Sequence, residues 1–468
     1  MVPTAEQYDI VVIGGGPGGY AAALYAASAG LKSAVVEKDK VGGACLHRGC
    51  IPAKEFLETA STYRHVKGAS EFGIQTAAPV IDFAVSQARK QKVVDGLWKG
   101  LAGLMKSRKI GVYDGVGSLG ADHAVTVKLN DGGTTTLRGE SVILAAGSVP
   151  RTIPGFEPGG AIMTSDEVLM LDRVPASVAV IGGGAIGCEF ASTFADLGAE
   201  VTILEFLPKI LPGCDADVTN MVVRAFQKRG ITIKTATKVI GHEPTAAGTR
   251  VLIEGGEPVD VEAVVVSVGR KPYSEGLGLL GTSVKIDDRG FVAVDEWCRT
   301  GEPGVYAVGD LINTPQLAHV GFAEAIMVVK DILRESPMPI MYDRVPWAIY
   351  CHPEVAFAGY SEDAAKEAGY DVVTSKHNYR SNSRAIILNE ADGLVKVIAE
   401  KLPDGTGGRV LGVHMVGPWV TEQLGQGYLA VNWEATVAEI GEFIQPHPTL
   451  SETFGETVLS LTGRSLHG

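Results

Sequence analysis

Two cysteines five residues apart are the clearest sign of chemistry in this sequence. Cys45 and Cys50 lie in the segment GGACLHRGCIPAK, just before a predicted helix over residues 55–63. Thiols near a helix N-terminus and beside cations such as Arg48 and Lys54 should have lowered pKa values. A structural zinc site fits poorly, because zinc prefers closer cysteine pairs and needs two further ligands. Two buried free thiols and one redox-active pair are the interpretations that remain.

A glycine fingerprint ahead of the cysteines favours the redox interpretation. The motif GxGxxG is formed by Gly14, Gly16 and Gly19, and Glu37 follows 23 residues after the first glycine. The hydrophobic pattern predicts a strand over residues 8–13, a helix over 20–29 and a second strand over 33–36. In that context the glycines permit a tight turn, approach of a pyrophosphate and close packing of the helix, while the acid binds a ribose diol.

The fingerprint occurs a second time. Gly182, Gly184 and Gly187 follow a predicted strand over residues 178–181, and Glu205 again lies 23 residues after the first glycine. A helix over 185–197 and a strand over 200–204 complete the unit. One copy could be an ordinary glycine turn, but two matched copies predict two dinucleotide-like cofactors. A carboxylate at Glu205 favours the free 2′-hydroxyl of NAD over the 2′-phosphate of NADP.

Composition sets the class of protein around these motifs. The chain has 468 residues, enough for about three domains, and its formal net charge of −13 leaves no basic surface for a nucleic-acid backbone. No apolar run reaches the roughly 18 residues that span a bilayer, so no membrane association is expected. Six cysteines are too sparse for a secreted disulfide framework, which predicts a cytoplasmic location. The initiating Met1 argues against a removed transit peptide.

The chain resembles the flavoprotein disulfide reductases along nearly its whole length. The segment around the cysteines matches the redox-disulfide motif of that family, and six further motifs follow in the family's order. They are ILAAGSVP at 143–150, VGRKP at 268–272, VYAVGD at 305–310, LAH at 317–319, PEVAFAG at 353–359 and HPTLSE at 447–452. The resemblance implies an α/β fold with two Rossmann-like domains, like that of glutathione reductase, and a C-terminal α+β dimerisation domain.

The resemblance also implies the domain order. The FAD-binding domain spans residues 1–149 and the NAD-binding domain spans 150–272. Residues 273–345 form a central segment that completes the FAD domain, and residues 346–468 form the interface domain. Strands are predicted at 355–357 and 372–375 in the interface domain, which also contains a glycine-rich turn at 404–408.

Each cofactor is implied to have its own set of residues, and no metal is expected. The FAD set is Gly14, Gly16, Gly19, Glu37, Lys54, Gly117, Ser148, Asp310 and Ala318. The NAD set is Gly182, Gly184, Gly187, Glu205, Val239 and Gly269, and Glu189 is the implied partner of the flavin-side lysine. Lys54 and Glu189 are thus implied to pair near the flavin ring, with Asp310 on the ribityl chain and Gly117 beside the adenine.

The same resemblance implies thiol chemistry. Cys45 would meet the substrate, Cys50 would lie against the flavin, and His447 with Glu452 would form a base and the carboxylate that orients it. From the residues alone His447 would be a structural loop histidine, and the motif HPTLSE favours the base. In the family this histidine reaches the disulfide of the other subunit, so an obligate homodimer is implied.

The implied reaction is the oxidation of protein-bound dihydrolipoamide by NAD⁺. The dithiol, deprotonated by His447, attacks Cys45, and electrons pass through Cys50 and FAD to NAD⁺. The implied partners are the lipoyl domains of 2-oxo acid dehydrogenase or glycine cleavage complexes.

Two alternatives stay open. One is another FAD-dependent reductase of the family, acting on glutathione, mycothione or mercuric ion. Glu205 disfavours the NADPH of a glutathione reductase, the C-terminus lacks the cysteine pair of a mercuric reductase, and Gln445 stands where many lipoamide enzymes have histidine. The other alternative is a non-catalytic flavin-binding subunit, which is disfavoured because the whole catalytic set is present.

Overall fold

The computed structural model describes residues 6–467, in which strands and α-helices alternate around both fingerprints. The strands are β1 (Glu6–Ile13), β2 (Ser33–Glu37), β3 (Gly111–Leu119), β4 (Ala124–Leu129), β5 (Thr134–Leu144), β6 (Ser148–Pro150), β7 (Ile162–Met163), β8 (Ser177–Ile181), β9 (Glu200–Leu204), β10 (Thr232–Lys234), β11 (Val239–Thr245), β12 (Gly248–Ile253), β13 (Val259–Val261), β14 (Ala263–Val266), β15 (Arg270–Pro272), β16 (Val305–Ala307), β17 (Trp347–Ile349), β18 (Glu354–Gly359), β19 (Val372–Asn378), β20 (Leu394–Lys401) and β21 (Gly407–Gly417). The α-helices are α1 (Pro17–Ser28), α2 (Gly43–Arg48), α3 (Cys50–Gly68), α4 (Phe83–Ser107), α5 (Ser165–Val168), α6 (Ala185–Asp196), α7 (Ala216–Lys228), α8 (Ala318–Ile332), α9 (Glu362–Glu367), α10 (Ser383–Ile387), α11 (Val420–Asn432), α12 (Val437–Gly441) and α13 (Glu452–Leu461).

The chain divides into two compact units. The first contains the residues up to 55 together with 84–151 and 269–342, and the second contains 56–83, 152–268 and 343–468. None of the helices within residues 6–467 combines the length and the apolar character needed to cross a membrane.

The first unit is built on a parallel sheet with strand order β3-β2-β1-β5-β16. Strand β4 runs antiparallel between β3 and β5. The central strands are continuous apolar runs, and residues 10–12 and 142–144 are fully buried. Such runs are typical of parallel strands that are covered on both faces. The carboxyl ends of β1, β2, β5 and β16 therefore meet at one edge, where ligands of open α/β sheets bind.

The second unit repeats this design and adds an antiparallel part. Strands β10-β9-β8-β14-β7 form a parallel sheet, with the three-stranded antiparallel sheet β11-β12-β13 as a separate element. Residues 343–468 contribute the antiparallel sheet β17-β18-β21-β20-β19. Helices α11 and α13 pack against strands of this sheet around a core of buried apolar side chains. The expected α/β class with two Rossmann-like sheets and a C-terminal α+β part is confirmed.

The predicted elements agree closely with those observed around both fingerprints. Strand β9 has the predicted bounds, while β1, β2, β8, α1 and α6 differ from theirs by no more than three residues at either end. The largest difference is at α3, which begins at Cys50 rather than at residue 55. Pro52 is compatible with this earlier start, because proline is tolerated in the first turn of a helix.

Candidate active site

The first fingerprint is held by two backbone contacts that exclude any side chain. Gly14 has a φ of +107°, and a Cβ on it would lie 2.3 Å from the carbonyl oxygen of Ala145. A Cβ on Gly19 would lie 1.8 Å from the carbonyl oxygen of Gly14. At Gly16 the nearest atom is the Cα of Gly43 at 4.0 Å, so this glycine leaves room beside the helix start. The three glycines thus serve the turn, the open cradle and the helix contact that the motif predicts.

The second fingerprint has the same geometry. Gly182 has a φ of +105°, and its Cβ would lie 2.4 Å from the carbonyl oxygen of Ser267. A Cβ on Gly187 would lie 1.9 Å from the carbonyl oxygen of Gly182, whereas no atom lies within 4 Å of the Cβ position of Gly184. Two glycines are therefore required by the protein itself, and the middle one is left open for a ligand.

The acid that closes each fingerprint also shapes its glycine loop. Glu37 accepts a hydrogen bond from the N–H of Gly15 at 2.7 Å, and Glu205 accepts one from the N–H of Gly183 at 2.5 Å. Both carboxylates are buried. An ionised carboxylate has about four acceptor positions, so each retains capacity for a ribose diol after fixing the loop.

The N-termini of α1 and α6 suit phosphate groups. Their N-cap residues, Gly16 and Gly184, provide no side-chain cap, and neither helix has an acidic residue in its first turn. Side-chain oxygens do cap α5, α7, α9, α10 and α12. The free N–H groups and the positive end of the helix dipole therefore remain available to a pyrophosphate at the two fingerprints.

A second helix start lies beside the first fingerprint. Gly321 on α8 is packed against α1, because its Cβ would lie 3.4 Å from the backbone nitrogen of Gly18 and 3.5 Å from the Cα of Gly309. Ala318 is the first residue of this helix. Gly321 thus lies where α8 packs against α1 and the turn after β16.

Asp310 lies in a polar cluster that sequence reasoning only partly identified. Its carboxylate accepts a hydrogen bond from the hydroxyl of Ser148 at 2.5 Å. The guanidinium of Arg270 donates to the hydroxyl of Ser148 at 2.6 Å and to its carbonyl oxygen at 2.8 Å, and lies 3.6 Å from Asp310. Arg270 was missed as a site residue, although it belongs to the motif VGRKP.

The two cysteines are brought together by a break between two helices. Cys45 lies within α2, Cys50 is the first residue of α3, and Gly49 between them has a φ of −148° and a ψ of −113°. Both residues are half-buried and in the thiol form, and their thiols share a hydrogen bond. The structure therefore places the pair in direct contact.

The expected lowering of the thiol pKa is wrong for Cys45. The pKa of Cys45 is raised rather than lowered, first because of the hydrogen bond to Cys50 and second because of burial, and the charge of Lys54 opposes this only in part. Burial raises the pKa of the nearby Tyr20 to about 12. A neutral Cys45 needs a base before it can act as a nucleophile.

The other four cysteines are Cys188, Cys214, Cys298 and Cys351, and all are almost completely buried. Burial is the largest cause that raises the pKa of each. These four residues are buried thiols, and a desolvated neutral thiol is unreactive.

His447 and Glu452 form an ordered pair. Nδ1 of His447 lies 2.8 Å from Oε1 of Glu452, whose Oε2 accepts a hydrogen bond from the N–H of Thr449 at 2.7 Å. The histidine side chain is 70% exposed and the glutamate 23% exposed, at the start of α13. The carboxylate thus holds one ring nitrogen, and the other is left facing outwards for a proton transfer.

The remaining predicted residues lie on different elements of the fold. Lys54 is half-buried on α3, Val239 begins β11, and Gly269 has open space around its Cβ position. Gly117 on β3 is crowded by Val36, whose Cγ1 would lie 3.1 Å from a Cβ.

Glu189 is buried on α6 and accepts a hydrogen bond from the N–H of Tyr350 at 2.9 Å. It belongs to the second unit and Lys54 to the first. Their pairing stays a prediction.

Comparison with known proteins identifies the family. Residues 8–325 match the pyridine nucleotide-disulphide oxidoreductase model, and residues 345–458 match the dimerisation domain of these proteins. The chain belongs to this family. A dihydrolipoyl dehydrogenase of Bacillus subtilis is 40% identical, covering 99% of this chain and 100% of the relative. A dihydrolipoyl dehydrogenase of Thermus scotoductus is 38% identical, with 99% of both proteins covered.

Solved structures agree with the sequence relatives. LpdA from Mycobacterium tuberculosis has a TM-score of 0.90 and is 26% identical, covering 98% of this chain and all of that one. The flavoprotein disulfide reductase RclA from Escherichia coli, in its Cu(II) complex, has a TM-score of 0.87 and is 25% identical, covering 97% and 100%. Membership in the pyridine nucleotide-disulphide oxidoreductases confirms the expected enzyme class and its cofactors, FAD and NAD.

Substitutions at the second fingerprint should separate cofactor binding from folding in this pyridine nucleotide-disulphide oxidoreductase. We expect Gly184→Ala to leave the melting temperature unchanged but to raise the KM for NAD⁺ about tenfold or more, since a methyl in the cradle displaces a charge-assisted hydrogen bond to phosphate. Gly187→Ala should lower both thermal stability and NAD⁺ affinity, because its Cβ meets backbone.

The matched control is Gly100→Ala in α4, where no atom lies within 4 Å of the Cβ position. It should leave the KM for NAD⁺ unchanged and should not lower thermal stability, because alanine is the better residue inside a helix. An unaltered KM for NAD⁺ in Gly184→Ala would contradict the assignment of this cradle.

Proposed function

We propose that this protein oxidises dihydrolipoamide to lipoamide and passes the electrons to NAD⁺. The contact between the thiols of Cys45 and Cys50, within the unit that carries the first fingerprint, is the observation that carries the proposal. The dihydrolipoyl dehydrogenases that match the whole chain support this substrate over the other disulfides that the family reduces.

The residues of the chain divide the thiol chemistry between them. With Cys45 and Cys50 oxidised to a disulfide, a substrate thiolate attacks Sγ of Cys45, and Cys50 leaves as a thiolate. The second substrate thiol, once deprotonated, closes the lipoyl disulfide and releases Cys45. FAD and NAD⁺, when bound, supply the path by which the electron pair leaves the reduced cysteines.

His447 is the base that this exchange needs. Substrate thiols have pKa values above 7, so a proton must be removed before each attack. Glu452 fixes the tautomer of the imidazole at 2.8 Å and stabilises the imidazolium that forms. Mutating such a base typically slows its step about a hundred- to ten-thousandfold.

The base is proposed to act on the cysteines of a second copy of the chain. Several large apolar side chains are exposed in the dimerisation domain, namely Trp419, Leu429, Trp433, Phe443 and Ile444. An apolar group of this kind marks a protein interface. His447 follows Ile444 by three residues, so we place the base at the same proposed interface, where the homodimer would hold two shared sites.

The lipoyl domains of 2-oxo acid dehydrogenase or glycine cleavage complexes present the substrate, and the enzyme works in the cytoplasm. The domain bounds 1–149, 150–272, 273–345 and 346–468 are part of the same proposal. We also propose the roles of the cofactor residues given above and the pairing of Lys54 with Glu189.

The function is tested by mixing the purified holoenzyme with dihydrolipoamide and NAD⁺ under anaerobic conditions. We expect NADH to form, measured by its absorbance in a stopped-flow instrument, and expect NADP⁺ to support little turnover because Glu205 repels its 2′-phosphate. Turnover of glutathione or mycothiol disulfide with NADPH, without NADH formation from dihydrolipoamide, would replace the proposal with the alternative reductase.

The role of His447 is tested by its substitution with glutamine. His447→Gln should slow reduction of the enzyme by dihydrolipoamide about a hundredfold or more, while reduction by NADH keeps its rate, because only the first half-reaction needs the base. His467→Gln is the matched control, since that histidine is paired with Glu456 at 3.0 Å and is equally exposed. Equal slowing of both half-reactions would show that His447 is structural.

The shared site is tested by complementation. Chains carrying Cys45→Ser and chains carrying His447→Gln should each have little activity alone. Their mixed dimers should regain activity, because one site then combines an intact cysteine pair with an intact histidine. The activity of co-expressed and co-purified chains checks this. Mixed dimers that stay inactive would show that both groups must come from one chain.

A further inference from the structure

Glu324 is a completely buried carboxylate that the proposed chemistry does not use. It lies on α8 in the first unit and has no exposed surface. One oxygen accepts a hydrogen bond from the N–H of Gly309 at 2.6 Å. The other accepts hydrogen bonds from the hydroxyls of Thr314 at 2.8 Å and Tyr342 at 3.0 Å. Burying a carboxylate is costly unless hydrogen bonds compensate for the lost water. The three donors around Glu324 provide that compensation.

These contacts fix the segment that follows β16. Gly309 has a φ of +69° and begins the 3-10 turn Gly309–Leu311, which carries Asp310. Thr314 lies just beyond the turn, so the two oxygens of Glu324 bind the segment on both sides of Asp310. The turn has no side-chain cap of its own. The carboxylate of Glu324, which lies on α8, therefore caps the turn in place of a local side chain.

The electrostatics are compatible with a positioning role at neutral pH. Burial raises the pKa of Glu324 to about 7, and the charge of Asp310 adds to the rise, while the three hydrogen bonds oppose it. The neutral and ionised forms are thus both populated near pH 7. The side-chain amide of glutamine is also neutral, so it closely resembles the neutral form of Glu324.

We propose that Glu324 is a positioning residue for the flavin site, which holds the Gly309–Leu311 turn so that Asp310 can bind the ribityl chain. The inference rests on the proposed function, which places FAD beside the first fingerprint. Ser148 and Arg270 hold the carboxylate of Asp310 directly. Glu324 holds the backbone beneath it, so loss of Glu324 should weaken FAD binding without removing any group that touches the cofactor.

The test measures the release of FAD from the holoenzyme as a rise in flavin fluorescence after dilution. Glu324→Leu should release FAD about ten- to a hundredfold faster, since it removes the acceptor of the Gly309 N–H. Glu324→Gln should keep a rate near that of the wild type. Its amide oxygen can accept from Gly309, and its amide N–H groups can donate to the hydroxyls of Thr314 and Tyr342. Met327→Leu, at another buried position of α8, is the matched control.

A second variant keeps the test decisive if Glu324→Leu does not fold. The double substitution Thr314→Val and Tyr342→Phe retains the bond to Gly309 but frees the other oxygen, and it should also speed the release of FAD. Release from either Glu324→Leu or the double variant at the wild-type rate would overturn the inference. A wild-type protein that binds no FAD would instead overturn the proposed function.

Discussion

The structure depends on the close approach of a helix start to the end of a parallel strand, made twice. In each fingerprint the backbone of the third glycine packs against the carbonyl group of the first. A Cβ on the third glycine would lie less than 2 Å from that carbonyl oxygen. This contact directs the uncapped N-termini of α1 and α6 along the carboxyl edges of their sheets. The direction of the dipole and the free N–H groups follow from it, and with them the capacity to hold two dinucleotides.

The thiol pair adds reactivity to this frame, and its electrostatics explain why a separate base is needed. Burial and the hydrogen bond to Cys50 keep Cys45 protonated, against the pull of Lys54. A pair that is stable as a dithiol is reactive only where a proton can be taken away. The substrate dithiol needs such a base as well, and in the proposed function His447, with Nδ1 held 2.8 Å from Oε1 of Glu452, is that base.

Around the first fingerprint, polar side chains from distant parts of the chain hold one another. Ser148 and Arg270 bind the carboxylate of Asp310, and Glu324 binds the turn beneath it. No single one of these contacts forms a site. Together they set the position of the Asp310 carboxylate at the sheet edge. An isolated loop could not do this, because a short turn without a side-chain cap has several conformations of similar energy.

Much of the fold and the site was determined by local sequence, and the rest was decided by burial and by side-chain contacts that local sequence patterns do not specify. The strand, glycine and helix patterns predicted both fingerprints, because these depend on residues close in sequence. The motifs also predicted two pairs, Cys45 with Cys50 and His447 with Glu452, whose members are in contact. The raised pKa of Cys45, the clamp of Arg270 on Ser148 and the three bonds of Glu324 were not predictable in this way. They arise from burial and from partners up to 122 residues away, and only the tertiary structure brings such groups into contact.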